Sequence, residues 1–220
     1  MSTVTPPERP LRKDAERNRR RVLEAAGELF AERGLGVTLD DVAHHAGVGV
    51  GTVYRRFPNK EVLIDALFEQ RIEAIATIAS EALEIEDPWD AFVFYFEQGS
   101  ELQARDRGLK ELLTCSTHGG ACLADAKARL RAHVTQLFDR AKAAGVVRED
   151  AGPLDTPVIM VMLGAVMDRT REVEPELWRR YLGLVLDGLR PESATPLAVG
   201  PLSGEQLDSV MRFPLRRQRA

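Results

Sequence analysis

Apolar residues recur with the period of an α-helix along almost the whole chain of 220 residues. The first stretch follows the spacing i, i+3, i+4, i+7, i+8, which lines one face of a helix. Its members are Val22, Ala25, Ala26, Leu29 and Phe30. No window alternates apolar and polar residues strongly enough to predict a β-strand. The sequence therefore predicts an all-α fold.

Glycine, proline and capping residues divide this pattern into separate helices. We expect them within the segments 13–33, 39–47, 49–57, 60–84, 87–106, 108–121, 121–145, 155–173 and 174–190. Thr38 and Asp87 stand at predicted N-caps, and the last two segments each open with an acidic or Thr cap and a proline. Residues 191–220 turn to Pro, Ser and Gly, which indicates a tail, with a short helix around 204–213.

The bulk composition, with 44% hydrophobic and 29% charged residues, suits a soluble globular protein. Two cysteines cannot build a disulfide framework, and the N-terminus lacks the apolar stretch of a signal peptide. The longest apolar run, 158–167, is about half the length that a membrane span needs. We therefore expect a reduced, cytoplasmic protein without a membrane partner.

Charge is distributed unevenly along the chain, although the net charge is only −4. Residues 1–60 hold 11 Lys and Arg against 8 Asp and Glu, whereas the remaining 160 residues hold 19 against 26. Six of the eleven basic residues lie in RKDAERNRRR, residues 12–21. A basic end on an acidic body indicates an N-terminal module that meets phosphates, although a solvated charged helix start would give the same pattern.

The segment GVGVGTVYRRF, residues 47–57, places glycines at three alternate positions. A phosphate-binding loop would need a strand before it and Gly-Lys-Ser/Thr after it, and a dinucleotide fold would need a βαβ unit. Both neighbours here are predicted helices, so neither nucleotide site fits. A helix, a short glycine turn and a second helix within twenty residues instead predict a helix-turn-helix, whose second helix enters the DNA major groove.

The stretch VTLDDVAHHAGVGVGTVYRRFPNKEVLIDALFE resembles the DNA-binding domain of the tetracycline-repressor (TetR) family of bacterial transcription regulators. The similarity covers residues 15–70 with matching spacing, from a basic first helix to the start of a long fourth one. The phrases DPWDAF, DRGLKELL and WRRYLGLVLDGLRP resemble the SbtR-type C-terminal domain within this family. The resemblance implies a helix-turn-helix domain at 13–60, a ligand-binding and dimerisation domain at 61–190, and flexible ends at 1–12 and 191–220.

The resemblance also implies which residues contact DNA. Thr38, Tyr54 and Lys60 match backbone contacts of the family, and Arg55 and Thr52 sit where members reach bases or phosphates. This sequence departs from the family at Gly49 and Val50, where polar or basic residues are common, so DNA shape and thymine-methyl contacts would share the specificity. The full predicted DNA-contacting set is Thr38, Val48, Gly49, Val50, Gly51, Thr52, Tyr54, Arg55, Arg56 and Lys60.

The larger domain contains two further sets of predicted site residues, one for a ligand pocket and one for a dimer interface. Aromatic and other side chains on its helices would pack its core, and a subset of them would line a small-molecule pocket: Trp89, Phe92, Tyr95, Phe96, His133, Phe138, Met160 and Met167. The last two long helices are apolar on every face, which fits either a buried central helix or a four-helix dimer interface. The predicted interface residues are Val161, Gly164, Ala165, Tyr181, Gly183, Leu184 and Gly188.

Two candidate chemical sites are weaker. Cys115, His118 and Cys122 form a C-x2-H-x3-C pattern that a metal or oxidant sensor could use, but isolated cysteines are more often small buried residues. His44 and His45 point about 100° apart on a helix and cannot share one metal. We expect no cofactor and no metal.

These observations together predict a ligand-responsive repressor that binds a near-palindromic DNA operator as a homodimer. The small-molecule inducer is unspecified by the sequence. The alternative is a helical small-molecule-binding protein or enzyme, with His133 or Cys115 as catalytic group, but no nucleophile–base–carboxylate set supports it. A third alternative is a DNA-binding protein without an inducer.

Overall fold

A computed structural model describes residues 9–33, 36–105, 121–192 and 195–212. Every regular element in these ranges is an α-helix, which confirms the all-α prediction. The helices are α1 (Arg9–Arg33), α2 (Leu39–Ala46), α3 (Val50–Arg56), α4 (Lys60–Leu83), α5 (Pro88–Arg105), α6 (Ala121–Ala143), α7 (Asp155–Thr170), α8 (Leu177–Leu189) and α9 (Gly204–Arg212). Within these ranges, no helix combines the length and apolar character that a membrane span requires.

The chain divides into two compact units, Met1–Leu67 and Phe68–Ala220, and the division falls within α4. In the first unit, the apolar stripe of α1 packs with residues of α2, α3 and the start of α4. The members of this core include Val22, Leu23, Ala26, Leu29, Phe30, Val42, Ala43, Val53, Phe57 and Leu63. The first unit therefore consists of the long helix α1, the two short helices α2 and α3, and the first residues of α4, with a core made mostly of aliphatic side chains.

Local signals fix both ends of α2. Thr38 accepts a hydrogen bond from the Asp41 amide, and the Asp41 carboxylate accepts one from the Thr38 amide, which is a reciprocal capping box. At the other end, Gly47 takes the left-handed conformation with φ +60°, where its amide bonds to the last carbonyls of the helix. Only a glycine adopts this conformation without a steric cost, so the turn between α2 and α3 is encoded at this position.

The second unit is built around an aromatic and aliphatic core that α5, α6, α7 and α8 share. Asp87 caps α5, because its carboxylate accepts the Trp89 and Asp90 amides at 2.8 Å each. The carbonyls at and beyond the C-terminal end of α4 are bound by a distant side chain: the Arg140 guanidinium of α6 donates to the carbonyls of Leu83, Ile85 and Glu86. The core of this unit therefore depends on helices far apart in the chain.

Helix starts are where the sequence prediction was least accurate. The first helix begins at Arg9 rather than near 13, because Pro10 is tolerated in a first turn. The predicted caps of α7 and α8 are wrong: Leu154 and Glu176 occupy the N-cap positions, and neither makes a side-chain cap bond. The Asp155 carboxylate instead accepts the Gly152 amide, at 2.7 Å. The predicted helix at 108–121 lies almost entirely outside the described residues.

Candidate functional site

Helix α3 turns one face inward and the other toward solvent. Val53 is buried, and Phe57 directly after the helix is buried as well. These two side chains anchor α3 in the core of the first unit. The residues on the opposite side are exposed or half-buried: Gly49, Val50, Gly51, Thr52, Tyr54, Arg55 and Arg56. Val50 and Tyr54 each keep 45% of their surface exposed. The outer face thus combines small, apolar and cationic groups.

The glycines leave the start of this face open. A Cβ atom added at Gly51 would meet nothing within 4 Å, and at Gly49 only the Thr52 hydroxyl oxygen, at 3.8 Å. Gly49 also occupies the N-cap of α3 without any side-chain cap. A second molecule could therefore approach the backbone of α3 closely, which is what insertion into a DNA groove requires.

Tyr54 lies beside an acidic residue of the preceding helix. The negative charge of Asp40 raises the pKa of the Tyr54 hydroxyl above its ordinary value, with further contributions from desolvation and a hydrogen bond to Asp40. The hydroxyl is therefore engaged by Asp40 in the free chain, and it must turn before it can donate to a phosphate. The sequence alone does not reveal the pairing of Asp40 with Tyr54, because it depends on how α2 packs against α3.

The two other predicted backbone contacts have partners within the chain. The Thr38 hydroxyl donates to the Asp41 carboxylate at 2.6 Å, so it must turn before it can donate to a phosphate. The Lys60 ammonium lies 5.9 Å from the centre of the Phe30 ring. Both side chains are therefore held in place at helix starts, Thr38 before α2 and Lys60 at the first residue of α4.

Charged side chains of α1 also contact the helix-turn-helix. His45 Nε2 lies 2.7 Å from the Glu28 carboxylate, so this histidine connects α2 with α1, whereas His44 is exposed. A Cβ atom at Gly47 would come within 3.0 Å of the Arg21 guanidinium, so Arg21 packs at the glycine turn. Arg17 pairs with Asp14 on the same helix. The basic helix thus supports the turn as well as presenting charge.

In the larger unit, the predicted pocket aromatics are brought together. Phe92 lies 5.0 Å from Phe96 and 4.9 Å from Phe138 between ring centres, and all three are buried. Tyr95 is buried beside Phe96, and this burial raises the pKa of its hydroxyl. These rings pack as the centre of a core, with distances typical of stacked and edge-to-face aromatic pairs.

The remaining predicted pocket residues are more accessible, apart from buried Met167. Trp89 is half-buried, and the Arg190 guanidinium covers its ring at 3.9 Å. The His133 Nδ1–H donates to the Ala76 carbonyl at 3.2 Å. Met160 contacts α5, where the Ser100 hydroxyl lies 3.7 Å from its sulfur.

Most of the predicted dimer-interface residues are exposed or half-buried, and one of them is buried. Tyr181 and Leu184 are 42% and 57% exposed, and Gly188 is exposed in line with them along α8. Met162 of α7 is 55% exposed, and Val161, Ala165 and Gly183 are half-buried. Gly164 differs, because it is buried and a Cβ atom there would clash with the Gln103 amide of the same chain. Tyr181, Leu184 and Gly188 therefore form an exposed strip on α8, beside the exposed charged residues Arg180 and Asp187. Gly164 has a packing role within one chain.

Metal ligands do not converge in the part of the chain that the structure describes, where no group of three His, Cys, Asp or Glu side chains could hold an ion. Cys115, His118 and the side chain of Cys122 lie outside the described residues. Their role as a sensor stays a hypothesis from the sequence.

Comparison with known proteins identifies the two units separately. Residues 22–67 match the family model of bacterial regulatory proteins of the tetR family, and residues 87–191 match the SbtR-like C-terminal domain of transcriptional regulators. The crystal structure of a TetR transcription regulatory protein from Mycobacterium vanbaalenii is 34% identical, covers 82% of this chain and 99% of its own, and has a TM-score of 0.59. The chain belongs to the TetR family.

Other relatives of this TetR-family protein are also transcriptional regulators. A TetR transcriptional regulator from Streptomyces coelicolor is 30% identical, covers 80% of this chain and 99% of its own, and has a TM-score of 0.60. An HTH-type transcriptional regulator of Staphylococcus aureus is 35% identical over 68 residues, which are 30% of this chain and 37% of that protein. The match thus spans little more than a third of that curated relative. The TetR family is a family of regulators, not of enzymes.

Proposed function

We propose that this TetR-family protein is a sequence-specific DNA-binding transcriptional repressor. The observation that carries the proposal is the outer face of α3, which presents Val50, Tyr54 and two arginines around an open glycine start. This face lies inside the segment that matches the tetR-family model. A DNA target also implies a cytoplasmic protein.

The side chains of this face divide into two roles. Tyr54 and Lys60 bind the phosphate backbone, together with the basic stretch of α1, and these contacts set affinity and register. Arg55 reads base edges, because arginine donates two hydrogen bonds to guanine in the major groove. Val48 and Val50 contact thymine methyl groups, and DNA shape supplies the remaining specificity.

The protein acts as a homodimer in this proposal. The outer face of α8 supports it, because Tyr181, Leu184 and Gly188 form an apolar strip that one chain leaves exposed. Burial of such a strip against a second copy gives a symmetric interface. Two copies of α3 then address two half-sites, and the operator is a near-palindrome with half-site centres about one or more helical turns apart.

A small molecule regulates the DNA binding. Within the predicted pocket set, His133 and Met160 are the residues that a ligand reaches most readily, because both are half-buried and Arg190 covers the Trp89 ring. The Phe92, Phe96 and Phe138 rings pack against one another. The ligand acts as an inducer by favouring a conformation with lower affinity for the operator.

A mobility-shift assay with the DNA upstream of the protein's own gene tests the proposal. Wild-type protein is expected to give one saturable shift that scrambled DNA of the same composition does not compete away. Tyr54→Ala combined with Arg55→Ala is expected to remove the shift. The matched control is Arg131→Ala, which deletes an exposed arginine of α6 and leaves the shift unchanged. A wild-type protein that shifts no DNA, or shifts scrambled DNA equally, contradicts the proposal.

A further inference from the structure

The chain continues beyond the residues that match the SbtR-like domain. The SbtR-like match ends at residue 191, whereas the structure describes a further segment, residues 195–212, that ends in α9. We call residues 195–212 the C-terminal strap. Its helix is encoded locally, because the Ser203 hydroxyl accepts the Gln206 amide and the Gln206 side chain accepts the Ser203 amide. This reciprocal pair is a capping box.

Two charged side chains attach the strap to the larger unit. Arg148 pairs with Asp150 through two hydrogen bonds, at 2.5 and 3.0 Å, and its side chain is 10% exposed. The same guanidinium donates to the Thr195 carbonyl at 2.5 Å, and Asp150 accepts the Leu197 amide at 3.0 Å. Such bidentate, charge-assisted bonds hold a segment in one position. The first residues of the strap are therefore fixed against Arg148 and Asp150 of the larger unit.

The attachment point lies at the end of the exposed strip of α8. Arg148 also donates to the Gly188 carbonyl at 3.2 Å, and its amide donates to the Leu189 carbonyl at 2.9 Å. Gly188 ends the strip that contains Tyr181 and Leu184. One guanidinium thus connects the exposed strip of α8 to the first residues of the strap.

The strap itself leaves large apolar side chains uncovered in a single chain. Leu197, Val199 and Val210 are 53%, 81% and 50% exposed. Leu207, on the same side of α9 as Val210, is buried, so the helix is already seated on its own chain. A single chain therefore covers only part of the strap's apolar surface.

We propose that the strap is a second layer of the dimer interface, in which Leu197, Val199 and Val210 pack against a second copy of this chain. The inference rests on the proposed homodimer and adds to it a contact outside the residues that match the SbtR-like domain. The continuity of the strap with the α8 strip favours a second copy as the occupant. Glu205 and Asp208 on the exposed side of α9 disfavour DNA or an anionic lipid surface as the occupant, because like charges repel.

Sedimentation of the full-length protein over a range of concentrations tests the proposal. The variant Leu197→Ser, Val199→Ser, Val210→Ser is expected to raise the dimer dissociation constant on the order of tenfold to a hundredfold, because it removes buried apolar area only from the dimer. All three side chains are at least half exposed in one chain, so the monomer should fold normally, with an unchanged circular dichroism spectrum. The matched control is Val62→Ser, another exposed valine, which lies in the first unit and should leave dimerisation unchanged.

The possible outcomes distinguish a failure of the strap proposal from a failure of the proposed homodimer. If wild-type protein dimerises and the triple variant dimerises equally well, the strap proposal is wrong and the dimer stands. If wild-type protein stays monomeric at micromolar concentration, both proposals are wrong.

Hydrogen exchange of the wild-type protein gives a second test that needs no variant. Amides within residues 197–210 are expected to exchange several-fold more slowly at a concentration well above the dimer dissociation constant than at one well below it. Equal exchange at both concentrations overturns the proposal even if the triple variant does not fold.

Discussion

Hydrogen bonds described for the second unit of this protein span longer stretches of the chain than those described for the first, where His45 and Glu28 are 17 residues apart. In the first unit, hydrogen bonds that shape the helix-turn-helix connect close neighbours: Thr38 to Asp41, and Asn59 to Val62, in each case three residues apart. In the second unit, His133 binds the Ala76 carbonyl 57 residues away, and Arg148 binds the Thr195 carbonyl 47 residues away.

This difference determines where sequence alone can locate function. The candidate DNA surface lies on a short helix between local signals, so its residues can be identified by their spacing. The candidate pocket residues of the second unit lie on α5, α6 and α7, and the candidate interface residues lie on α7 and α8, so no single stretch of sequence identifies either set. Substitutions in the two units should therefore have different kinds of effect.

The largest expected effect is on the second unit, at Gly183. A Cβ atom at this position meets nothing within 4 Å in one chain, so Gly183→Arg should leave the monomer folded. A charged side chain on the dimer face should nevertheless separate the subunits. Because one chain then addresses one half-site, operator affinity should fall on the order of a hundredfold to ten-thousandfold. Sedimentation and a binding titration measure both effects; a monomer with full operator affinity would contradict the proposed dimer.

The next effect concerns the aromatic core. Phe92→Ala removes a fully buried ring that contacts three other rings, so it should lower the free energy of unfolding by about 3–5 kcal/mol. Denaturant unfolding monitored by circular dichroism checks this value. The comparison variant is Phe92→Leu, which keeps most of the volume and should cost less. A Phe92→Ala protein of wild-type stability would show that this ring lines a cavity rather than the core.

In the first unit, one substitution should lower the affinity for all DNA, and another should lower the specificity for the operator. Lys60→Ala is expected to weaken binding to operator and random DNA alike, and to lower the salt slope by about one charge. Arg55→Ala is expected to reduce the discrimination between them by about 1–3 kcal/mol. Salt titrations on both DNAs measure the two quantities. If Arg55→Ala lowers both affinities equally, Arg55 is a backbone contact and specificity resides in the valines, Arg56 and DNA shape.

The smallest effect is a local one at the start of α2. Thr38→Ala removes an N-cap and should cost about 1 kcal/mol of unfolding free energy. The hydrogen bonds from the Thr38 hydroxyl and amide lower the pKa of Asp41 below its ordinary value of 3.8. A lowered folded-state pKa stabilises the fold above the ordinary pKa, and this contribution is lost as the pH falls through the folded value. The difference between wild type and Thr38→Ala should therefore persist at pH 7 and shrink below about pH 4, in thermal melts at both pH values.

The fold and the location of the helix-turn-helix can be predicted from the sequence, because the signals for both are local. Helical periodicity, Gly47 and the Asp87 cap are local signals, and all three are found in the structure. The capping box at α2 could have been found as well, because Thr38 and Asp41 have its spacing, with Asp in place of the usual Glu or Gln.

Other features could not be predicted, because they depend on tertiary contacts. No local pattern shows that Arg140 binds the end of α4, that Arg148 holds the C-terminal strap, or that Gly164 faces Gln103. The predicted caps of α7 and α8 failed because the acidic residues nearby bind other partners: Asp155 the Gly152 amide and Glu176 the Arg179 guanidinium. Local rules therefore lose accuracy in the second unit.

Selection of DNA sites from a pool of random duplexes, followed by sequencing, tests the central claim most directly. Two copies of the first unit, held together by the second, should enrich a near-palindrome whose half-sites lie about 10 base pairs apart, or a multiple of that spacing. Titration of the enriched duplex should then give a whole number of dimers per site, and at least about a thousandfold preference over random DNA. Enrichment of a single unrepeated half-site, or of no sequence at all, would contradict the account.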